Sequence, residues 1–253
     1  MNLLATGYGK TDIGLKRPNN EDYFKLDDDL QFYIVCDGVG GNAAGEVASC
    51  LACEATYMYL EAHMDILEQY LVGHRKSKNI YNLLHDAVQT ANSTVLSAAV
   101  ENPEYEDMAT TLTLILILDD KVFYAHVGDS RLYIVRNDEL HQITEDHTLA
   151  NDLISTAPPE EHEMLEQTYG NVLCRAVGIE EPIEIDVSAF DIEKYDRFLL
   201  CSDGLSSYIN DKELEKVILT HDSEVAVDQL IVGSHKGGGN DNITVIVVDV
   251  FEN

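Results

Sequence analysis

Residues 31–41 read Gln31-Phe32-Tyr33-Ile34-Val35-Cys36-Asp37-Gly38-Val39-Gly40-Gly41. The first six residues form an apolar, β-prone run, and the glycines that follow force the chain to turn. The sequence therefore predicts a buried strand with Asp37 at its carboxyl end. A carboxylate in that position, beside a glycine that lets the backbone approach closely, is suited to binding a hard cation such as Mg²⁺ or Mn²⁺.

Four other short stretches also place an acidic residue beside glycine or at an expected strand end. They are Asn20-Glu21-Asp22, Gly128-Asp129-Ser130, Ser202-Asp203-Gly204 and Asn240-Asp241-Asn242. Taken one at a time, each of these aspartates is more typical of a turn or a helix cap. Because a divalent site needs several carboxylate oxygens from separate parts of a chain, the five stretches together predict a metal-dependent hydrolase.

The hydrophobic pattern around these stretches predicts an α+β fold. Apolar residues recur at helical spacing over 45–63 and 80–100, which predicts two long helices after the first strand. Two strands joined by a tight turn at Asp119-Asp120 follow, and a strand at 132–135 extends this antiparallel meander. A second group of strands is expected at 183–187, 197–201 and 243–250, with helices at 211–219 and 224–235. This alternation predicts two antiparallel sheets with helices on their outer faces.

The length of the chain suits one domain over residues 1–253. Residues 148–170 differ from their surroundings, since they are polar, contain Pro158-Pro159 and show only weak helical periodicity. We interpret this segment as a surface insertion beside the site. It is either a flap that faces the substrate or an ordinary connecting loop.

The charge and the cysteines exclude several classes of protein. Sixteen basic and forty-six acidic residues give a net charge of −30, which repels nucleic acid and anionic lipid, so we expect neither as a partner. The apolar run 112–118 is too short to span a bilayer, and the N-terminus lacks the pattern of a secretory signal. Five cysteines without a disulfide-framework spacing are typical of a reducing compartment. We therefore expect a cytoplasmic protein and, from its acidic surface, a monomer.

Six motifs, taken in chain order, resemble those of the PP2C-type (PPM family) metal-dependent serine/threonine protein phosphatases, and the bacterial branch fits best. The motifs lie at 11–22, 35–41, 108–112, 126–131, 200–205 and 239–244. Six motifs in the right order are far more specific than any one of them, and the resemblance runs over about 11–248. The resemblance implies a four-layer α/β/β/α sandwich, in which two antiparallel sheets are flanked by helix pairs.

The resemblance also implies two metal ions, Mn²⁺ or Mg²⁺, and a set of ligands for them. Asp37 would bridge both ions. Asp203 and Asp241 would hold the first ion, while Glu21 and the carbonyl of Gly38 would hold the second, partly through water.

Three further residues receive roles from the same resemblance. Asp22 would lie behind the ligands or bind through water, and Asp129 would share a third, weaker ion with Asp203. Arg17 matches the arginine that grips the substrate phosphate, a task that suits a planar guanidinium. A surface salt bridge is the alternative role for Arg17.

The reaction implied is hydrolysis of phosphoserine and phosphothreonine by direct attack of a metal-bridging hydroxide, without a phosphoenzyme. The substrates would be phosphorylated proteins, made by a serine/threonine kinase of the same cell. Two alternatives stay open. A catalytically weak pseudophosphatase would serve as a binding module and would be marked by loss of a metal ligand. A phosphatase of a small phosphorylated metabolite would have the same phosphate site.

Three positions depart from the family pattern or bear on the proton donor. Val39 stands where many eukaryotic members carry a histidine that is thought to protonate the leaving group, and valine has no proton to give. Bacterial members also lack this histidine. His147 matches a histidine common in the family, for which we expect a structural role. Position 109 is alanine where the family usually has glycine.

Overall fold

A computed structural model describes residues 3–39 and 44–252; Gly40 and Gly41, to which the sequence assigns a turn, lie outside the described residues. The strands are β1 (Leu3–Asp12), β2 (Asp22–Asp27), β3 (Phe32–Val39), β4 (Ala109–Thr110), β5 (Leu112–Leu118), β6 (Lys121–Val127), β7 (Arg131–Arg136), β8 (Glu139–Gln142), β9 (Asp186–Asp191), β10 (Arg197–Cys201) and β11 (Ile243–Glu252). The helices are α1 (Gly45–Ala62), α2 (Met64–Leu71), α3 (Ser77–Glu101), α4 (Leu149–Ile154), α5 (His162–Tyr169), α6 (Asp203–Ser206), α7 (Asp211–Thr220) and α8 (Ser223–Gly237).

The strands form two antiparallel sheets that pack face to face. One sheet has the order β1-β11-β10-β7-β8, and the other has the order β2-β3-β5-β6-β9, with β4 pairing to the end of β3. Helices α1 to α3 cover the outer face of the second sheet, while α6 to α8 cover the outer face of the first. The predicted α/β/β/α order of layers is confirmed.

Strand β5 shows why the central strands read as continuous apolar runs. Its leucines, among them Leu114 and Leu116, pack against α1 and α3, whereas Ile115 and Ile117 pack against the other sheet. Both faces of the strand are therefore buried, and no polar alternation is left in the sequence. The tight turn between β5 and β6 is also confirmed, because Leu118 pairs with Lys121 across two residues.

The sequence pattern assigns two strands to the wrong sheets. It predicts that β7 extends the meander of β5 and β6, but β7 lies in the other sheet, between β10 and β8. The strand predicted at 183–187 is β9, which begins later and pairs with β6 instead of joining β10 and β11. The chain crosses between the sheets directly after β6, where Gly128 has a φ of +106°. Alternation of side chains identifies a strand but not its partner, so this crossing is not visible in the pattern.

Gly128 is the position where this crossing is most sensitive to substitution. A Cβ at residue 128 would lie 2.6 Å from the Thr111 side chain, and the positive φ would add strain. We expect Gly128→Ala to lower the free energy of unfolding by roughly 3 kcal/mol, measured by urea denaturation. Gly73→Ala is the matched control: Gly73 has a φ of +75° with nothing within 4 Å, so only about 1 kcal/mol should be lost. Equal losses in the two variants would contradict the steric argument.

Residues 148–170 contain α4, a 3₁₀ turn at Pro159–Glu161 and α5. The segment is mostly exposed, and Thr148, Ala150 and Leu165 are its buried residues. Its role as an insertion beside the site stays a prediction. Within residues 3–39 and 44–252, none of the helices combines the length and the apolar character needed to cross a bilayer.

Candidate active site

Seven of the eight predicted site residues line one cavity of about 1180 Å³ at an edge of the sandwich. They are Arg17, Glu21, Asp37, Gly38, Asp129, Asp203 and Asp241. The eighth, Asp22, is only 6% exposed and is absent from the residues that line this cavity. Segments that are far apart in the chain therefore meet at one place, as the motifs predict.

Asp37 lies within β3, two residues before the strand ends at Val39. The sequence predicts the end of the strand at Asp37, and the extra residues are explained by pairing of Gly38 and Val39 with β4. The Asp37 backbone N–H donates to the Thr111 hydroxyl (2.9 Å), and its carbonyl accepts from the backbone N–H of Thr111 (2.8 Å). These bonds hold the carboxylate of Asp37 in place at the floor of the cavity.

Asp22 pairs with Asp37 across β2 and β3 and lies beneath the cavity. Its Oδ2 accepts hydrogen bonds from the hydroxyl of Ser202 (2.7 Å), which directly follows β10, and from the hydroxyl of Thr244 (2.6 Å) in β11. Among the described residues, its buried Oδ1 has no hydrogen-bond partner. An unpartnered buried carboxylate oxygen is costly, and a cation or a bound water would satisfy it.

Gly38 allows the start of α1 to approach the site. A Cβ at this position would lie 2.2 Å from the carbonyl oxygen of Gly45, so no other residue fits without moving the helix. The N–H of Gly38 donates to the Glu21 carbonyl (3.1 Å), which also accepts from the Ser49 hydroxyl (2.6 Å). The backbone beside Glu21 is thereby fixed against both β3 and α1.

Asn242 is a site residue whose role the sequence does not reveal. Its Oδ1 accepts from the Glu21 N–H (2.8 Å), and its Nδ2 donates to the carbonyls of Ile13 (3.0 Å) and Asn19 (2.9 Å). The side chain therefore ties the loop before β2 to the loop that carries Asp241. Its place directly after Asp241 in the motif is the one signal that could have identified it.

The turn that carries Asp129 is held by His147. The Gly128 N–H donates to His147 Nδ1 (3.1 Å), and the His147 N–H donates to the Gly128 carbonyl (2.8 Å). With Nδ1 accepting, the proton lies on Nε2, which is 3.2 Å from Asp186 Oδ2. This geometry is that of a structural histidine that orients the turn before Asp129.

The clustered carboxyl groups have raised pKa values. Burial is the largest cause at Asp37, whose pKa is well above its usual range, and the charges of Asp22 and Asp203 raise it further. Burial also raises the pKa of Asp22 to about 7 and that of Asp203 to about 6. Burial followed by the charge of Asp203 raises the pKa of Asp129 to about 7. In the metal-free protein, bound protons therefore neutralise part of the negative charge that a bound cation would neutralise in their place.

Hard divalent cations fit this cluster by the chemistry of its donors. The cavity gathers carboxylates, a backbone carbonyl at Gly38 and, beneath them, the unpartnered oxygen of Asp22. In the arrangement described for 3–39 and 44–252, however, no three histidine, cysteine, aspartate or glutamate side chains form a group that would hold one ion. One of the expected ligands, Asp241, is instead paired with Arg17.

Arg17 lies on the wall of the cavity and forms an ion pair with a predicted ligand. Its guanidinium donates to Asp241 Oδ2 (2.6 Å), and 46% of its side chain is exposed. The cationic group therefore lies in the cavity at the edge of the carboxylate cluster. This ion pair matches the alternative role given to Arg17, and it also leaves the guanidinium accessible to an anion.

Asn242→Ala tests how strongly the loops depend on one side chain. Because the change leaves a buried N–H and two carbonyls without their partner, we expect a loss of roughly 3 kcal/mol in the free energy of unfolding. The Mn²⁺ concentration that gives half-maximal protection against thermal unfolding should rise about 10-fold. Asn102→Ala, which removes an exposed amide at the end of α3, should change stability by less than about 0.5 kcal/mol. Similar values for both variants would refute the role of Asn242.

Known proteins share sequence with most of this chain. The family model of Protein phosphatase 2C matches residues 9–229. The serine/threonine phosphatase stp of Listeria innocua is 33% identical over 245 residues, which cover 95% of this chain and 94% of that protein. The serine/threonine protein phosphatase PstP of Mycobacterium tuberculosis is 34% identical over 250 residues, which cover 99% of this chain and 46% of that protein.

Solved structures show the same fold. The crystal structure of the Mycobacterium tuberculosis phosphatase PstP/Ppp matches 99% of this chain and 100% of that chain, with a TM-score of 0.84 and 32% identity. A second structure, of the PstP catalytic domain in complex with two manganese ions, has a TM-score of 0.83 at the same identity and coverage. The resemblance identified from the six motifs is confirmed.

Proposed function

Because this chain belongs to the protein phosphatase 2C family, we propose that it is a metal-dependent phosphatase that removes phosphate from phosphoserine and phosphothreonine in proteins. One observation carries the proposal: Glu21, Asp37, Asp203 and Asp241 line a single cavity together with Arg17. Carboxylates and a guanidinium in one cavity can bind divalent cations and a phosphate side by side.

The residues of the cavity have distinct tasks in this proposal. Asp37 would hold both of two Mn²⁺ or Mg²⁺ ions, Asp203 and Asp241 would hold one of them, and Glu21 and the Gly38 carbonyl would hold the other. Two such ions lower the pKa of water and offset charge on the phosphoryl oxygens.

The remaining residues support these ligands. Asp22 would lie behind the ligands or bind an ion through water, and Asp129 would share a third, weaker ion with Asp203. Arg17 exchanges its bond with Asp241 for bonds with the substrate phosphate, which a planar guanidinium binds through two N–H groups. Val39 cannot donate a proton to the leaving group, so this task falls to a bound water.

The alternatives are weaker on specific grounds. A pseudophosphatase would be marked by loss of a ligand, and every expected ligand position is filled. A small phosphorylated metabolite would use the same phosphate site, but a cavity of about 1180 Å³ is larger than the 300–1,000 Å³ that such ligands usually fill.

The protein partners follow from the same proposal. The substrates are phosphoproteins made by a serine/threonine kinase of the same cell, and the net charge of −30 disfavours nucleic acid and anionic membranes. The five free cysteines, of which Cys36, Cys53 and Cys201 are buried, suit a reducing cytoplasm. We propose one phosphatase domain over 1–253 that acts as a monomer.

Hydrolysis of a phosphothreonine peptide by the purified protein tests this proposal. With Mn²⁺ the protein should release phosphate, and an excess of chelator should abolish the release, which added Mn²⁺ then restores. No release in Mn²⁺, with the ion shown to bind by calorimetry, would favour the binding module. Release from a metabolite but not from the peptide would favour the second alternative.

A further inference from the structure

The cavity that contains the carboxylates continues into an apolar part. We call this part the apolar arm and define it by the side chains of Val39, Leu96, Val100, Pro103, Val172 and Ile179. Several of them are open to solvent: Val100 is 85% exposed, Ile179 60%, Val172 45% and Val39 44%. Exposed apolar side chains gathered at one cavity of a highly acidic protein mark a binding surface more than scattered ones do.

The arm begins directly beside the carboxylate cluster. Val39 is two residues from Asp37 and pairs with Ala109 in β4. The next residue, Thr110, donates its hydroxyl hydrogen to the Asp37 carbonyl (2.9 Å). The end of the arm at Val39 therefore adjoins the carboxylate cluster.

The walls of the arm are fixed to the core of the fold. Leu96 and Val100 lie one turn apart on α3. The segment that carries Ile179 is tied to this helix, because buried Asn92 accepts from the Gly178 N–H (2.7 Å) and donates to the Glu180 carbonyl (2.7 Å).

The same segment is also tied to the floor of the cavity. Thr110 and Val177 exchange two backbone hydrogen bonds, of 2.9 and 2.8 Å. A surface held in this way is formed before a ligand binds, so less ordering is needed on binding.

We propose that the apolar arm is a substrate subsite that binds an apolar side chain a few residues from the phosphorylated serine or threonine. The inference rests on the proposed function, and it adds a preference for the sequence around the phosphorylated residue. Glu106 and Asp107 also line the cavity, so an acidic residue at this position of the substrate should be rejected.

The position of the arm indicates that a peptide side chain occupies it. A phosphate held at Arg17 and the carboxylates leaves the rest of the substrate to extend along the cavity. A peptide can do so, and its side chains near the phosphorylated residue reach the arm first. Burying part of a leucine or valine side chain there removes apolar surface from water on both partners.

Peptide hydrolysis with Mn²⁺ tests the preference. A series of phosphothreonine peptides carries leucine at one position at a time, from three residues before to three residues after the phosphothreonine, in a background of alanine and serine. At one position, or at two adjacent positions, leucine should raise kcat/KM about 10-fold over alanine. Glutamate at the same position should lower kcat/KM below the value for alanine.

Variants locate the preference in the arm. Val100→Asp and Ile179→Asp should each reduce the leucine advantage to less than about 2-fold and leave hydrolysis of p-nitrophenyl phosphate unchanged. Both residues are exposed, so the fold should tolerate the substitutions. Leu71→Asp is the matched control, since Leu71 is 54% exposed at the end of α2 and does not line the cavity.

The outcomes separate this inference from the proposed function. A leucine advantage that both arm variants lose and Leu71→Asp keeps supports the subsite. If the peptides are hydrolysed with no preference for leucine at any position, the subsite is refuted. It is also refuted if the preference survives in both arm variants. In either case the proposed function stands. If the wild-type protein hydrolyses neither the peptides nor p-nitrophenyl phosphate, the proposed function fails and the subsite fails with it.

Discussion

Replacing Asp37 with asparagine is expected to reduce hydrolysis of a phosphothreonine peptide at saturating Mn²⁺ by at least about 1000-fold, or about 4 kcal/mol in the activation barrier. Asp37 lies at the centre of the cluster, where it pairs with Asp22 across β2 and β3 and is close enough to Asp203, Asp129 and Asp241 for their charges to raise its pKa. An amide cannot supply the negative charge that two cations require from a shared ligand.

The same substitution should stabilise the metal-free protein. Burial and neighbouring charges raise the pKa of the Asp37 carboxyl well above its usual range, so ionising it costs more in the folded protein than in the unfolded chain. Asparagine removes this cost, so Tm in chelator at pH 8 should rise by on the order of 5 °C. The opposite signs of the two effects identify a residue kept for function at the expense of stability.

Asp119→Asn is the control for both measurements. Asp119 lies in the turn between β5 and β6 with a φ of +59°, a conformation that asparagine tolerates. The Asp119→Asn substitution should change neither the hydrolysis of the peptide nor the Tm in chelator noticeably. If Asp37→Asn keeps more than a tenth of the wild-type activity, Asp37 is not the shared ligand.

The second large effect is a loss of stability of the metal-free protein between pH 5.5 and 8. The pKa values of Asp22 and Asp129 are raised to about 7 and that of Asp203 to about 6, from a usual value of 3.8. A carboxyl with a raised pKa stabilises the fold below its usual pKa and loses this contribution as the pH rises through the raised value. For Asp203 alone the loss from pH 3.8 to above pH 6 corresponds to about 3 kcal/mol, of which roughly 1 kcal/mol falls above pH 5.5.

Thermal unfolding with and without Mn²⁺ measures this effect. In chelator, Tm should fall steadily from pH 5.5 to 8. In Mn²⁺ the protection should grow over the same range, because the cation replaces protons that have been released. A salt concentration of 0.5 M controls for surface repulsion, since it screens exposed charges much more than buried ones. A Tm in chelator that is flat or rises would contradict the coupling of the carboxyl groups.

The site was largely predictable because each motif is local. An aspartate beside a glycine at the end of an apolar run can be recognised within a few residues, as at Asp37 and Asp203. Arg17 could be placed near the site only through the family resemblance, and its ion pair with Asp241 joins residues 224 positions apart.

Several parts of the fold could not be predicted because they depend on contacts between distant segments. Strand β1 escapes detection because Gly7 stands where the ring of Tyr33 fills the space: a Cβ there would lie 2.4 Å from the ring. That requirement comes from the packing of two sheets, and it weakens the apolar pattern of the strand. Strand β7 is recognisable as a strand, but its sheet is decided by the turn at Gly128.

The apolar arm is a further feature that the sequence does not reveal. Leu96 and Val100 fit the apolar face of a helix, and Val172 and Ile179 look like ordinary loop residues. They become a surface only when the bonds of Asn92 bring the segment after residue 177 against α3.

Anomalous diffraction from crystals grown with Mn²⁺ tests the central claim most directly. The account predicts two strong peaks in the cavity, both within bonding distance of the Asp37 carboxylate, with Asp203 and Asp241 at one and Glu21 at the other. Arg17 should then have left Asp241. A cavity without peaks at saturating Mn²⁺, or manganese bound only away from Asp37, would contradict it.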